Sequence, residues 1–193
     1  LKIASVQSPA PTNYNSADKP LPNPLLLNFN QPAAEADKIG VNFNTGISIQ
    51  PDIRGSWQWQ NRQKLVFTPE TDWLPDTSYK VNFSKNIFRA TPKPKDLTFK
   101  FNTPVFSGRL SAAEFYENPQ ELQSKSVTAS FIFSYPINTA DLKDHIKIRT
   151  VSGDSYDFDY KLTDNNTALH IISKPVKIKS EVDFAKISVT NLG

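Results

Sequence analysis

Two histidines, His145 and His170, are the residues best suited to acid–base chemistry or metal binding. They are far apart in the sequence, one at the edge of a short turn and the other on a predicted strand. A zinc site needs further ligands at a suitable spacing, and the sequence contains no His-x-x-x-His pair. Serine, histidine and aspartate all occur, so composition leaves a Ser–His–Asp triad open, but no Gly-x-Ser-x-Gly segment supports one. We interpret both histidines as surface or hydrogen-bonded residues and assign no catalytic residue.

Four aspartates, Asp154, Asp157, Asp159 and Asp164, form the best candidate for a cation site, since calcium takes six to eight oxygen ligands. Asp157 and Asp159 alternate with aromatic residues, however, which predicts that both lie on the solvent face of a strand, about 7 Å apart. This spacing places no second carboxylate across a cleft, as a glycosidase would require. We therefore assign no metal site and no cofactor.

The tryptophans Trp57, Trp59 and Trp73 could form a platform on which sugars stack. Trp57 and Trp59 are two residues apart, so they share one face of a predicted strand, and a core position is the stronger interpretation. Trp73 precedes a turn, and we expect it to pack at the end of a module.

Composition excludes several classes of protein. The chain has 193 residues and no cysteine, which rules out disulfides, thiolate metal sites and a cysteine nucleophile. The longest apolar run is far shorter than the roughly 20 residues that span a bilayer. Lysine and arginine number 22 against 19 acidic residues. The densest basic stretches, residues 93–100 and 174–179, alternate with apolar residues, which is typical of a solvated strand face and not of a nucleic-acid site.

Alternation with period two dominates the chain, and 15 prolines interrupt most segments that could form helices. The best helical candidates are short, Ala33 to Ile39 and Thr139 to His145. The alternating segments predict an all-β protein built from sandwiches of two antiparallel sheets. They are residues 25–29, 57–60, 65–67, 79–83, 97–101, 127–133, 156–162, 169–171 and 184–189, and residues 2–6 also have strand character.

The two halves of the chain align with each other at an offset of 104 residues. Phe29-Asn30-Gln31-Pro32 recurs as Phe133-Ser134-Tyr135-Pro136, and Leu65-Val66-Phe67 recurs as Leu169-His170-Ile171. We therefore predict two copies of one β-module, at residues 1–104 and 105–193, with the boundary near Thr103-Pro104.

Several segments of the first copy resemble bacterial Ig-like domains. They are Asn23 to Pro32, Gly55-Ser56-Trp57, Leu65 to Pro69, Trp73 to Val81 and Phe99 to Pro104. In this paired form the modules resemble the N-terminal region of bacterial alpha-2-macroglobulins, which are large secreted or lipid-anchored proteins that trap proteases. The resemblance covers residues 16–104 well and residues 105–193 more weakly, because the Leu-Pro-Asp-Thr turn is missing at Lys174 to Lys177.

The resemblance implies a non-catalytic structural or interaction region of a larger periplasmic or surface protein. The thioester of that family, Cys-x-x-Gln, cannot be present because the chain has no cysteine. The implied partners are the remainder of the parent chain and proteases or a periplasmic protein, and the parent could be anchored by a lipidated N-terminus. The chain starts at Leu1 without a methionine, so we expect it to be part of a longer protein. The alternative is a ligand- or polysaccharide-binding module of an adhesin, which would need exposed tryptophans.

Overall fold

The chain forms two compact units, Leu1–Val105 and Phe106–Gly193. The computed structural model describes residues 1–14, 20–92, 94–117, 119, 125–150, 153–176 and 185–190. These residues contain strands and short 3₁₀ helices but no α-helix, which confirms the predicted all-β fold.

Unit 1 is a sandwich of two antiparallel sheets. Its eight strands are β1 (Ile3–Gln7), β2 (Leu25–Phe29), β3 (Asn42–Phe43), β4 (Ile47–Gln50), β5 (Gly55–Trp59), β6 (Lys64–Pro69), β7 (Ser78–Phe83) and β8 (Thr98–Asn102). One sheet has the order β1-β2-β6-β5-β3 and the other has the order β4-β7-β8. Apart from the short β3, this is the strand order of an immunoglobulin constant-type domain, in which four strands face three.

Alternation along the strands builds the core of unit 1. Leu25, Leu27 and Phe29 point inward from β2 and are buried, whereas Leu26 and Asn28 between them are half-buried. The same period of two separates inward from outward residues along β7. The predicted strand at residues 2–6 corresponds to β1, and the predicted closing strand before Pro104 corresponds to β8.

Unit 2 is also a sandwich of two sheets. Its strands are β9 (Gly108–Glu117), β10 (Lys125–Phe133), β11 (Ile146–Thr150), β12 (Ser155–Tyr156), β13 (Phe158–Thr163), β14 (Ala168–Ser173) and β15 (Ala185–Val189). The sheets have the orders β13-β14-β10-β9 and β12-β11-β15. The core includes Leu142, Ile148 and Leu169, each at most 2% exposed.

Several residue pairs that lie opposite one another in unit 1 recur 104 positions later in unit 2. Leu26 lies opposite Val66, and Ser130 lies opposite His170, so both partners are shifted by the same number of residues. The pairing of Val6 with Leu27 recurs in the same way as that of Leu110 with Phe131. The strands β9, β10, β14 and β13 of unit 2 therefore lie in the same order as β1, β2, β6 and β5 of unit 1.

Both helical predictions were too long. The segment from Ala33 contains only the 3₁₀ turn Ala36–Lys38, and the segment from Thr139 contains only Leu142–His145. Asp141, which precedes the second turn, has a φ of 53°, so the backbone is not helical there. Among the residues described, no helix is long and apolar enough to cross a membrane.

Some sequence predictions fall outside the described residues. Lys93 and residues 177–179 of the basic stretches belong to this group, as does Phe184 at the start of the last predicted strand.

Candidate functional site

The three tryptophans lie in the core of unit 1. Trp57 and Trp59 on β5 are 2% and 1% exposed, and Trp73 is 4% exposed. Trp57 packs on Phe67 with ring centroids 4.9 Å apart, and Trp59 packs on Phe29 at 5.4 Å. No indole face is open to solvent, so a sugar-stacking platform built from these residues is excluded.

Trp73 packs at the turn between β6 and β7. Its Nε1–H donates to the backbone oxygen of Asn23 at 2.8 Å, and its ring meets those of Tyr79 and Phe101 edge-on at 5.0 and 5.4 Å. The Tyr79 hydroxyl accepts a hydrogen bond from the backbone N–H of Leu74 at 3.2 Å. A tyrosine that bonds back to the chain just before its strand is a hallmark of the immunoglobulin fold, the tyrosine corner.

His170 sits on β14, on the outer face of its sheet, between two hydroxyl groups. Its Nδ1 is 2.9 Å from Ser130 Oγ on β10, and its Nε2 is 3.1 Å from Thr163 Oγ1 on β13. Both contacts are exposed. The Thr163 hydroxyl also donates a hydrogen bond to the carboxylate of Asp164, at 3.4 Å. The second ring nitrogen thus meets a hydroxyl instead of the carboxylate that orients a catalytic histidine.

His145 lies apart from this group. It ends the 3₁₀ turn Leu142–His145, just before β11, and its backbone oxygen accepts a hydrogen bond from the N–H of Thr190. His170 belongs to the sheet β13-β14-β10-β9, whereas His145 directly precedes β11 of the other sheet.

The four aspartates are distributed over separate elements. Asp159 on β13 forms an ion pair with Lys174, and both side chains are more than half exposed. Asp157 lies between β12 and β13, whereas Asp164 opens the turn between β13 and β14. Within the described ranges, no group of three histidine or acidic side chains is placed to hold a metal ion.

Unit 1 contains two shallow grooves, of about 220 and 380 Å³. The smaller is lined by the apolar side chains of Val41, Phe43, Trp59 and Ile87 together with Lys38, Thr45 and Asn86. The larger carries Asp52, Arg54 and Glu70. Sites for small molecules are typically concave spaces of about 300–1,000 Å³ with convergent polar groups. Among the described hydrogen bonds, none joins a hydroxyl group that lines either groove to a lining carboxylate or amine.

Unit 2 carries an exposed apolar strip on β9 formed by Leu110, Ala113 and Phe115, here called the β9 strip. Leu110 and Phe115 are 54% and 52% exposed. Leu110 lies opposite Phe131 and Phe115 lies opposite Val127 on β10. Because Phe131 and Val127 point to the core, the β9 strip is a peripheral part of the inner face of this sheet. Among the residues described, β9 is one of the two edge strands of its sheet.

The curated proteins that this chain matches are alpha-2-macroglobulins. No family model matches the chain. An alpha-2-macroglobulin homolog of Yersinia pestis is 34% identical over 151 residues, which cover 78% of this chain and 8% of that protein. This chain resembles a region of bacterial alpha-2-macroglobulins. The alpha-2-macroglobulins of Pasteurella multocida and Rickettsia conorii are 29% and 25% identical over 72% and 82% of this chain. The chain spans about 8% of the length of each of these relatives.

Sequence reasoning identified His170 but missed its partners. The signal was present in the repeat: Leu26 and Val66 are neighbours on adjacent strands, and the offset of 104 residues transfers this pair to Ser130 and His170. The β9 strip was also missed, because residues 108–117 were not recognised as a strand at all.

Proposed function

We propose that this chain is a non-catalytic structural and interaction region of a large bacterial alpha-2-macroglobulin that traps proteases in the periplasm or at the cell surface. The observation that carries the proposal is the 34% identity with the Yersinia pestis homolog over 78% of this chain. We propose a position near the N-terminus of such a protein, because the paired Ig-like segments of this chain resemble that region of the family. There, two Ig-like modules of one ancestry would space the trap from a membrane or hold a partner.

The side chains support a role without catalysis. The Ser130–His170 pair is exposed on the outer face of a sheet. Neither residue lines one of the two grooves described above. Catalysis needs a nucleophile, a base and stabilising donors around one position. The β9 strip, by contrast, offers apolar area of the kind that proteins use to bind one another. The remainder of the parent chain is the first partner we propose for it.

The adhesin alternative lacks a supporting observation. It needed tryptophans exposed in a groove, and all three are at most 4% exposed.

The full-length parent protein provides the test. Its sequence, read from the encoding DNA, should contain a lipoprotein-type cysteine ahead of Leu1 and a Cys-x-x-Gln segment far downstream. The purified parent should protect a large substrate from a protease while leaving a small chromogenic substrate accessible. The isolated 193-residue chain, added to the same protease, should protect neither. A parent made of repeated Ig-like modules with a wall anchor and no thioester would overturn the proposal.

A further inference from the structure

The larger groove of unit 1 has the size and the polar lining of a binding site. Its volume of about 380 Å³ lies within the range of about 300–1,000 Å³ that is usual for such sites, whereas the volume of the smaller groove does not. The lining residues come from three segments, 44–49, 52–57 and 67–70. All three segments belong to unit 1 and lie within one continuous described part of the chain, residues 20–92.

Packing and backbone hydrogen bonds hold this groove in shape. Trp57 and Phe67 at its floor are each 2% exposed, and their ring centroids are 4.9 Å apart. The backbone N–H of Glu70 donates to the oxygen of Arg54 at 2.9 Å, which continues the pairing of β5 with β6. Because the floor is part of the core, a ligand meets a surface that is already formed, and little ordering opposes binding.

Three charged side chains line the groove, and all of them are exposed. They are Asp52, Arg54 and Glu70. No ion pair joins any of these side chains to another described residue. Arg54 lies across from Glu70 on the two paired strands, yet their side chains form no ion pair. The groove thus presents two carboxylates and one guanidinium to solvent, and its net charge is negative.

The acceptors of the groove match a guanidinium group. Asp52 and Glu70 supply carboxylate oxygens, and an arginine side chain carries several N–H donors in a planar fork that suits carboxylates. Ile47 and Ile53 also line the groove and are half-buried, so they offer apolar area to the methylene stem of an arginine. Arg54 carries the charge that attracts an acidic group of the same ligand.

A side chain of a bound polypeptide fits this groove better than a free small molecule does. The groove is shallow, whereas a site for a small molecule buries about 70–90% of its ligand. A side chain needs less enclosure, because the rest of its own polypeptide also holds it in place.

We propose that the larger groove of unit 1 binds an arginine side chain of a partner polypeptide. Asp52 and Glu70 bind its guanidinium, and an acidic group next to the arginine pairs with Arg54. The inference rests on the lining of one groove in unit 1 and is independent of the proposed protease-trapping role.

The test uses the isotopically labelled 193-residue chain and three small probes. N-acetyl-arginine carries a guanidinium and a carboxylate, N-acetyl-arginine amide carries the guanidinium alone, and N-acetyl-citrulline replaces the guanidinium with a neutral group. Amide chemical shifts are measured by NMR during titration and should change mainly at residues 44–55 and 68–70. N-acetyl-citrulline should bind about tenfold more weakly than N-acetyl-arginine, because it loses the charge-assisted hydrogen bonds. The amide should bind about threefold more weakly, because it loses one exposed ion pair.

Substitutions test the role of each charge. Asp52→Asn combined with Glu70→Gln should abolish the binding of N-acetyl-arginine, and Arg54→Gln should make the acid and its amide bind equally. Asp96→Asn is the matched control, because it removes an exposed carboxylate outside the groove, between β7 and β8, and should leave binding unchanged. Urea midpoints equal to that of wild type, followed by tryptophan fluorescence, would show that unit 1 remains folded in every variant.

Each of four results would overturn the proposal. The first is the absence of shifts at the groove with N-acetyl-arginine, and the second is equal binding of N-acetyl-citrulline. The third is binding that persists when both carboxylates of the groove are neutralised. The fourth is tighter binding of free L-arginine than of N-acetyl-arginine, which would make the free amino acid the ligand instead of a polypeptide.

Discussion

The Tyr79 hydroxyl accepts a hydrogen bond from the backbone N–H of Leu74, which fixes the turn that leads into β7. The Tyr79 ring lies 1% exposed beneath this turn and stacks on Phe101. Thr77 N–H donates to Thr103 Oγ1 at 3.0 Å, and that hydroxyl donates to the Leu74 oxygen at 2.6 Å. The turn is thus tied to the core and to the end of β8 at the same point.

Tyr79→Phe should destabilise unit 1 by about 1–2 kcal/mol, because it keeps the ring but leaves the N–H of Leu74 without this partner. All three tryptophans of the chain belong to unit 1, so urea unfolding followed by tryptophan fluorescence reports on this unit alone. Tyr160→Phe on β13 of unit 2 is the control and should leave the midpoint unchanged. Equal midpoints for wild type and Tyr79→Phe would show that the hydrogen bond contributes nothing.

Gly55→Ala should also destabilise unit 1, by about 1–3 kcal/mol, as overpacking does in a filled core. A Cβ at this position would meet the backbone oxygen of Thr68 and lie 2.5 Å from Phe67 Cζ, and neither a strand carbonyl nor a buried ring can move aside freely. Ser56→Ala is the neighbouring control and should change the unfolding free energy by no more than about 0.5 kcal/mol. A Gly55→Ala midpoint within error of wild type would mean that the strands can separate at little cost.

The buried tryptophans predict weak quenching of fluorescence by acrylamide in the native chain. Their exposure of at most 4% keeps the quencher away, so the quenching constant should rise several-fold on unfolding in urea. Soluble polysaccharides should leave the native emission spectrum unchanged. Native quenching as strong as that of a free tryptophan derivative would contradict the packing of β5.

Alternation identified most strands and the face of each strand that builds the core. Trp57 and Trp59 show why: two large apolar residues separated by one polar residue must both point to the same side, and that side is buried. The predicted helices were too long because Pro32 and polar residues allow several local conformations, and tertiary contacts select among these conformations.

The alternating pattern of the sequence does not show which strands lie at the edge of a sheet. Phe115 on β9 and Val127 on β10 both point to the inner face, yet Phe115 is 52% exposed and Val127 is 5% exposed. The difference depends on which strands of the opposing sheet lie above each residue, and that information is non-local. The Ser130–His170–Thr163 group could not be predicted for the same reason. It joins side chains from three strands, and predicting it requires the register of those strands.

Ser130 should not react as a catalytic serine. An activated serine needs a base whose far nitrogen is held by a carboxylate, together with donors for the developing oxyanion, whereas His170 is held by Thr163 on an open sheet face. A fluorophosphonate probe should therefore leave Ser130 unlabelled by peptide mass spectrometry. Ser130→Ala should change the stability of unit 2 by less than about 1 kcal/mol, measured by circular dichroism in urea, because the lost hydrogen bond is exposed. Labelling of Ser130 that is abolished by His170→Ala and retained in Lys161→Ala, a change on the neighbouring strand, would establish a reactive pair and contradict the non-catalytic role.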